Sequence, residues 1–169
     1  MAACGPMQPR AMRESLRSRV QRFAFNLFPA YRGTGARVTF IASDYSEVRI
    51  ELPLSRRTRN YVGTIFGGSM YGAVDPMYML MLIKRLGDDY IVWDKAATIH
   101  FRRPGRGTLF ATFRLEQADV DAVRQAADEN GKTERQFVVD LVDAGGVVHA
   151  HVEKLIYVRR KPGAPHPPG

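Results

Sequence analysis

Asn60-Tyr61-Val62-Gly63-Thr64-Ile65-Phe66-Gly67-Gly68-Ser69 reads as a loop that ends in a glycine pair and opens a helix, with Asp75 nine residues after Phe66. The first N–H groups of a helix have no acceptor within it and lie at the positive end of its dipole. Such donors suit a carbonyl oxygen that is becoming an oxyanion. A carboxylate nearby is a candidate base or nucleophile. On composition alone the favoured reading is a tight turn followed by a core helix with a surface Asp; the rest of the chain shifts that balance. Within the helix, read from Gly67 to about Leu86, Met70, Val74, Met77 and Met81 form one apolar stripe that should face a sheet. Asp75 falls off that stripe, on the side of Gly68 and Gly72, where small residues would let another backbone approach. Pro76 lacks a donor and crowds the carbonyl of Gly72, so a kink is expected at the position of the candidate chemistry.

Working outward, Val38 to Ala42 and then Val48, Ile50 and Leu52 read as two strands around Ser43-Asp44-Tyr45. After the helix, Tyr90 to Arg102 and Leu109 to Leu115 are strand-like, joined by the turn Arg103-Pro104-Gly105-Arg106-Gly107. A short helix from about Gln117 to Glu129 stops at Asn130-Gly131. Gln136 to Val142 and Val147 to Val158 form a last hairpin around Ala144-Gly145-Gly146. The pattern predicts an α+β fold: a long central helix wrapped by one curved antiparallel sheet. An extra N-terminal helix runs from about Ala11 to Phe28, with Met12, Leu16, Val20, Phe23 and Leu27 on one face and Arg13, Arg17, Arg19 and Arg22 on the other. Membrane-surface binding is one use of such a face; packing against the fold is the preferred expectation. Residues 1–9 and the Pro-rich tail 162–169 read as disordered ends of a single domain spanning 10–161.

The 169 residues suffice for one domain with a proper core. No run approaches a membrane span, and no leader with a cleavage site is read, so a cytoplasmic location is expected. Cys4 is the single cysteine, which excludes an intrachain disulfide and a Cys-rich metal site. The formal charge of +8, carried mostly by Arg, favours anionic partners. Nucleic acid is not expected, because neither an aromatic-basic reading motif nor a recognition helix is present.

The order of elements, with Asn60, Gly67-Gly68, Asp75 and the later Phe101-Arg102-Arg103-Pro104-Gly105, resembles the hotdog-fold thioesterases of the PaaI type over roughly residues 35–158. The resemblance implies an acyl-CoA thioesterase working as a homodimer or tetramer of dimers, with no cofactor. It implies that Asn60 and the Gly67 N–H grip the thioester carbonyl and that Asp75 is the base or nucleophile. A strand position where relatives carry Ser or Thr near that carboxylate falls on or about Asp94. Relatives commonly have His before the glycine pair; here Phe66 stands there and cannot donate a hydrogen bond. Asp75-Pro76 also departs from the pattern, which points to a separate, little-characterised branch. A non-catalytic hotdog module that binds an acyl ligand is the alternative, and a hotdog dehydratase the third.

Geometry adds an independent constraint. Eight residues separate Gly67 from Asp75, about 12 Å of helix rise, too far for one carbon to sit within about 3.5 Å of both. Two central helices related by a two-fold would bring Asp75 of one chain opposite Gly67 of the other. Phe66 and Gly68 would line the substrate, and Arg102, Arg103 and Arg106 are candidates for the phosphates of CoA, with Arg56, Arg57 and Arg59 as the fallback. Asp94 and Lys95 are adjacent on a strand and point to opposite faces; if Asp94 faces Asp75, each raises the other's proton affinity. His149, His151 and Glu153 share one strand face, read as exposed and polar rather than metal-binding. His100 reads as a strand residue with a local hydrogen bond. Ser69 lacks the Gly-x-Ser-x-Gly elbow of a serine hydrolase.

Overall fold

A computed structural model describes residues 13–163, and in it Pro29 follows the N-terminal periodic stretch and starts a second helix. Helix α1 (Leu16–Leu27) starts at Ser15, whose hydroxyl accepts from the Ser18 N–H, and stops at Phe28. The residue before a proline avoids helical backbone, and a proline suits a helix's first position. Pro29 therefore opens a new helix, α2 (Pro29–Thr34), closed by Gly35 at φ 83°. Six residues containing Gly33 are too few to show a period, so the sequence did not reveal α2. The expected ends at 1–9 and 164–169 lie outside the described residues, and residues 162–163 form a turn.

Strands β1 (Arg37–Ile41), β2 (Glu47–Leu52), β3 (Tyr90–Phe101), β4 (Leu109–Arg114), β5 (Lys132–Val142) and β6 (Val148–Arg160) form one curved antiparallel sheet in the order β1-β2-β4-β5-β6-β3. Strand β5 begins four residues earlier than its apolar pattern, because the backbone of the polar run Lys132 to Arg135 continues the ladder with β6. Alternate residues of β2, β4, β5 and β6 point inward. Leu52, Phe113, Leu141 and Ile156 are fully buried against the central helix, whose Met70, Val74, Met77 and Met81 form the expected inward stripe. Tyr78 anchors the far side, stacked on Phe137 at 4.7 Å and edge-on to Phe113 at 5.3 Å. Helix α5 (Gln117–Asn130) ends at Gly131 in left-handed backbone, as Asn-Gly predicts.

The kink is real. The central helix is two helices, α3 (Gly67–Val74) and α4 (Met77–Leu86), divided at Asp75 and Pro76. Both dividing residues keep right-handed helical angles. The Asp75 N–H still donates to the Tyr71 carbonyl at 2.9 Å, and the ladder resumes with the Leu80 N–H to Pro76.

Helix α1 departs from expectation. It docks through its polar side: Ser18 is buried, the Asn26 amide brackets the Val38 backbone at 2.8 and 2.9 Å, and Arg22 pairs with Glu14 at 2.8 Å. Leu16, Val20, Phe23 and Leu27 consequently face outward. Backbone groups of β1 at the sheet edge need hydrogen bonds, and polar side chains meet that need better than an apolar stripe does.

Candidate functional site

The start of α3 carries two open donors. Phe66 donates its N–H to the Thr58 carbonyl at 2.7 Å, and its own carbonyl accepts from Ser69 and Met70. The N–H groups of Gly67 and Gly68 meet no acceptor among the described residues. Gly67 lines a cleft of about 390 Å³ together with Asn60, Thr64, Phe101, Arg102 and Arg103, with Ile65, Met70 and Pro104 beneath, and Gly68 follows it outside that lining. The structure thus gathers four of the sequence candidates in one place. A Cβ on Gly67 would lie 2.8 Å from the Phe101 ring, and one on Gly68 would lie 2.3 Å from the Phe66 ring, so a larger residue at either position would push these exposed rings aside.

Asn60 builds the loop as well as lining the cleft. Its side-chain oxygen accepts from the Val62 and Thr64 N–H groups, and its amide donates to the Thr64 hydroxyl at 2.9 Å. An Asn amide has two N–H donors, so one remains for a ligand. Arg102 and Arg103 are exposed, and both donate backbone N–H groups to the His149 carbonyl, which fixes the turn. Arg106 is exposed but lies outside the cleft lining.

Asp75 sits elsewhere, as the helix rise requires. Its partner is a residue the sequence reading passed over: Lys154. The Lys154 side chain is 0 % exposed, and its Nζ lies 2.5 Å from Asp75 Oδ1 and 3.1 Å from Asp94 Oδ1. The Asp94 contact is close but poorly aligned, so Asp94 Oδ1 is buried without a proper hydrogen bond. Tyr71 flanks the group, its hydroxyl 3.4 Å from Lys154 Nζ. Burial first, and the neighbouring Asp75 next, push the Tyr71 hydroxyl above its usual value. Burial would lower Lys154, but the carboxylates of Asp75 and Asp94 outweigh it and raise the ammonium above its usual range. Burial raises Asp94, helped by the charge of Asp75 and opposed by Lys154. Lys154 was legible in principle. Ala150, Val152, Ile156 and Val158 are the inward row of β6, and a two-residue period puts Lys154 in that row as its one charge.

Other candidates resolve locally. Lys95 turns away from Asp94 to Glu134 at 2.5 Å, as alternation predicts. His100 lies 3.8 Å from Glu153, and His151 bonds Asp140 at 2.6 Å. His149 is not part of an exposed face: it is buried, 3.2 Å from both the Pro104 carbonyl and Asp143. Gly72 also needs reassignment. A Cβ there would lie 2.9 Å from the Thr34 methyl, so the close neighbour of Gly72 is α2 of its own chain.

The profile of a family described as a domain of unknown function, DUF4442, matches residues 17–158. The chain belongs to that family. No curated protein matches it. Among solved structures it is similar to a protein of unknown function from Pseudomonas aeruginosa called a probable thioesterase, at 22 % identity and TM-score 0.76, over 88 % of this chain and 99 % of that one. A thioesterase from Haemophilus influenzae matches at 13 % identity and TM-score 0.63, over 91 % and 96 %. A protein of unknown function from Chlorobaculum tepidum matches at 12 % and 0.68, over 85 % and 93 %. These likenesses show the fold of this DUF4442 chain, the hotdog fold.

In this DUF4442 domain the half-buried Asp94 makes a pH prediction. Its folded proton affinity is raised, so the folded state holds the proton more tightly than the unfolded chain. Stability contributed by that proton is present below the ordinary carboxylate value of 3.8 and is lost as pH rises from there through the raised folded value. Relative to Asp94→Asn, the wild type should therefore melt progressively higher as pH falls through this window. Paired thermal melts read it, and a gap that moves the opposite way contradicts the assignment.

Proposed function

We propose that the protein hydrolyses acyl-CoA thioesters at two equivalent sites formed between the chains of a homodimer. The observation that carries this is the N–H of Gly67, without an acceptor among the described residues, in the cleft that Gly67 lines together with Asn60. The thioester carbonyl binds there, with the spare Asn60 N–H as a further donor. Asp75 of the second chain takes a proton from water as the water oxygen attacks the acyl carbon. The oxyanion forms against the Gly67 N–H. Collapse breaks the C–S bond, and the proton passes from Asp75 to the departing thiolate, leaving a carboxylic acid and free CoA. Attack by the Asp75 carboxylate itself is the variant of this route, through an acyl-enzyme anhydride that water then hydrolyses.

Two features support a partner chain. Strand β3 is an unpaired sheet edge of 12 residues, and long open edges are templates for pairing. Phe66, Trp93 and Phe101 are exposed large apolar side chains beside the glycine pair and along β3. Assaying purified protein with a panel of acyl-CoA esters for free thiol tests the proposal, and absence of turnover on every chain length would remove it. The second reading is a hotdog module that binds an acyl ligand without hydrolysis. It is favoured by the Lys154 ammonium on one oxygen of Asp75 and by Phe66 before the glycine pair.

CoA carries a 3′-phosphate and a pyrophosphate, and Arg102, Arg103 and Arg106 project from the turn that borders the cleft. Replacing all three by Ser should raise KM for a CoA ester and scarcely change it for a short pantetheine ester. Added salt should mimic the substitution, since exposed charges are screened over about 8–10 Å at physiological ionic strength. If both esters suffer equally, the turn is structural. If neither does, the phosphates lie in the other basic cleft, of about 530 Å³, lined by Arg32, Arg37, Arg56 and Arg57.

A further inference from the structure

Leu16, Val20, Phe23, Leu27 and Phe28 are between 53 and 79 % exposed. At 100° per residue the first four fall on one face of α1, and Phe28 is the exposed residue that caps the helix. Arg17 and Arg19 flank this face on opposite sides, and Arg13 precedes it by one turn; all three are exposed. Helix α1 contains no acidic residue, and the adjacent Glu14 is turned onto Arg22 at 2.8 Å, with Arg19 at 3.6 Å. Beside the stripe lies an apolar cleft of about 410 Å³, lined by Ala24, Phe25, Phe28, Ile41, Tyr45 and Leu80, together with Lys84 and Gln21.

We propose that α1 is an interfacial helix that lays the protein on an anionic lipid bilayer. Its apolar side chains enter the upper acyl region while Arg13, Arg17 and Arg19 reach the phosphates on their long stems. Charge favours lipid over a second copy of this chain. Two α1 faces brought together would oppose arginine to arginine with no free carboxylate between them. Position agrees. Helix α1 packs on β1, at the edge of the sheet opposite β3, so a partner that extended the sheet from β3 would leave α1 uncovered. A net charge of +8 adds a long-range attraction to the same surface. The inference is independent of the thioesterase reading, and no helix among the described residues is long and apolar enough to cross the bilayer.

The test is co-sedimentation of the full chain with vesicles of phosphatidylcholine alone and of phosphatidylcholine mixed with phosphatidylglycerol. Binding is expected to the mixed vesicles only, and it should weaken with salt. The double change Val20→Ser and Phe23→Ser should abolish it. Arg13→Gln with Arg17→Gln should weaken it roughly fivefold per arginine, the equivalent of about 1 kcal/mol for each charge near the surface. These side chains are exposed, so circular dichroism melts should match the wild type. Failure of the wild type to bind the mixed vesicles overturns the proposal, as does full binding by the double Ser variant, which would leave only unspecific charge attraction. Should the Ser variant instead split a wild-type assembly in sedimentation while vesicles go unbound, the face is a contact between chains and the proposal falls.

Discussion

Asp75→Asn should abolish thioester turnover while leaving the fold and the oligomeric state intact. The amide keeps the carboxylate's shape and can still accept from Lys154 Nζ, now 2.5 Å from Asp75 Oδ1, but it has neither a base nor a nucleophilic charge. Loss of a general base costs about 10²–10⁴ in rate, and loss of a nucleophile more. The Asp75 side chain is 41 % exposed, but it is the main counter-charge of the fully buried Lys154. The amide keeps the hydrogen bond and loses the charge pairing, so a moderate fall in the melting transition accompanies the loss of turnover. Single-turnover assays on a good acyl-CoA substrate read the loss. A variant that keeps more than a tenth of the wild-type rate transfers the role to Asp94. Sedimentation belongs beside the assay: a fully active monomer would contradict the two-chain site, because Gly67 and Asp75 stand about 12 Å apart along one helix.

The distance argument needed only the sequence, as did much of the fold. The methionine stripe at helical spacing and the strands at two-residue spacing each name a buried face, and Pro76 names the kink. Legibility fails where tertiary demands override local pattern. The α1 stripe has ideal helical periodicity, yet the Asn26 amide and the Ser18 hydroxyl dock the opposite face. Periodicity marks a face and leaves open which side meets the fold. Gly72 is similar: smallness announces a close neighbour, and the neighbour is Thr34 on the short helix α2, which is itself invisible to periodic analysis. In the candidate site, Gly67, Asn60, Arg102 and Arg103 line one cleft. Lys154 went unread because a lone lysine in a strand looks like a solvent-facing residue until the inward parity is carried along the whole of β6.

That lysine yields the second large effect. Lys154→Met keeps the length of the stem and removes the ammonium, leaving Asp75 and Asp94 near one another with no cation between them. Breaking a buried ion pair by removing one partner costs about 3–5 kcal/mol. Asp75 is partly in water, so about 2–3 kcal/mol is the better expectation here. For a domain of this size that is a fall in Tm of roughly 4–12 °C. The ammonium is raised above its ordinary 10.5 by the carboxylates, against burial. Its contribution is therefore fully present below that pH and is lost as pH rises through the raised value. The gap between wild type and Lys154→Met should thus persist through neutral and mildly alkaline pH and narrow only beyond the ordinary lysine range. Adding Asp94→Asn to Lys154→Met should recover part of the loss, because it removes the buried carboxylate that the methionine strands. If Lys154→Met melts with the wild type, its stem alone matters to the fold. If it melts low but Asp94→Asn rescues nothing, the cost comes from Asp75, and the lysine serves the candidate catalytic carboxylate alone.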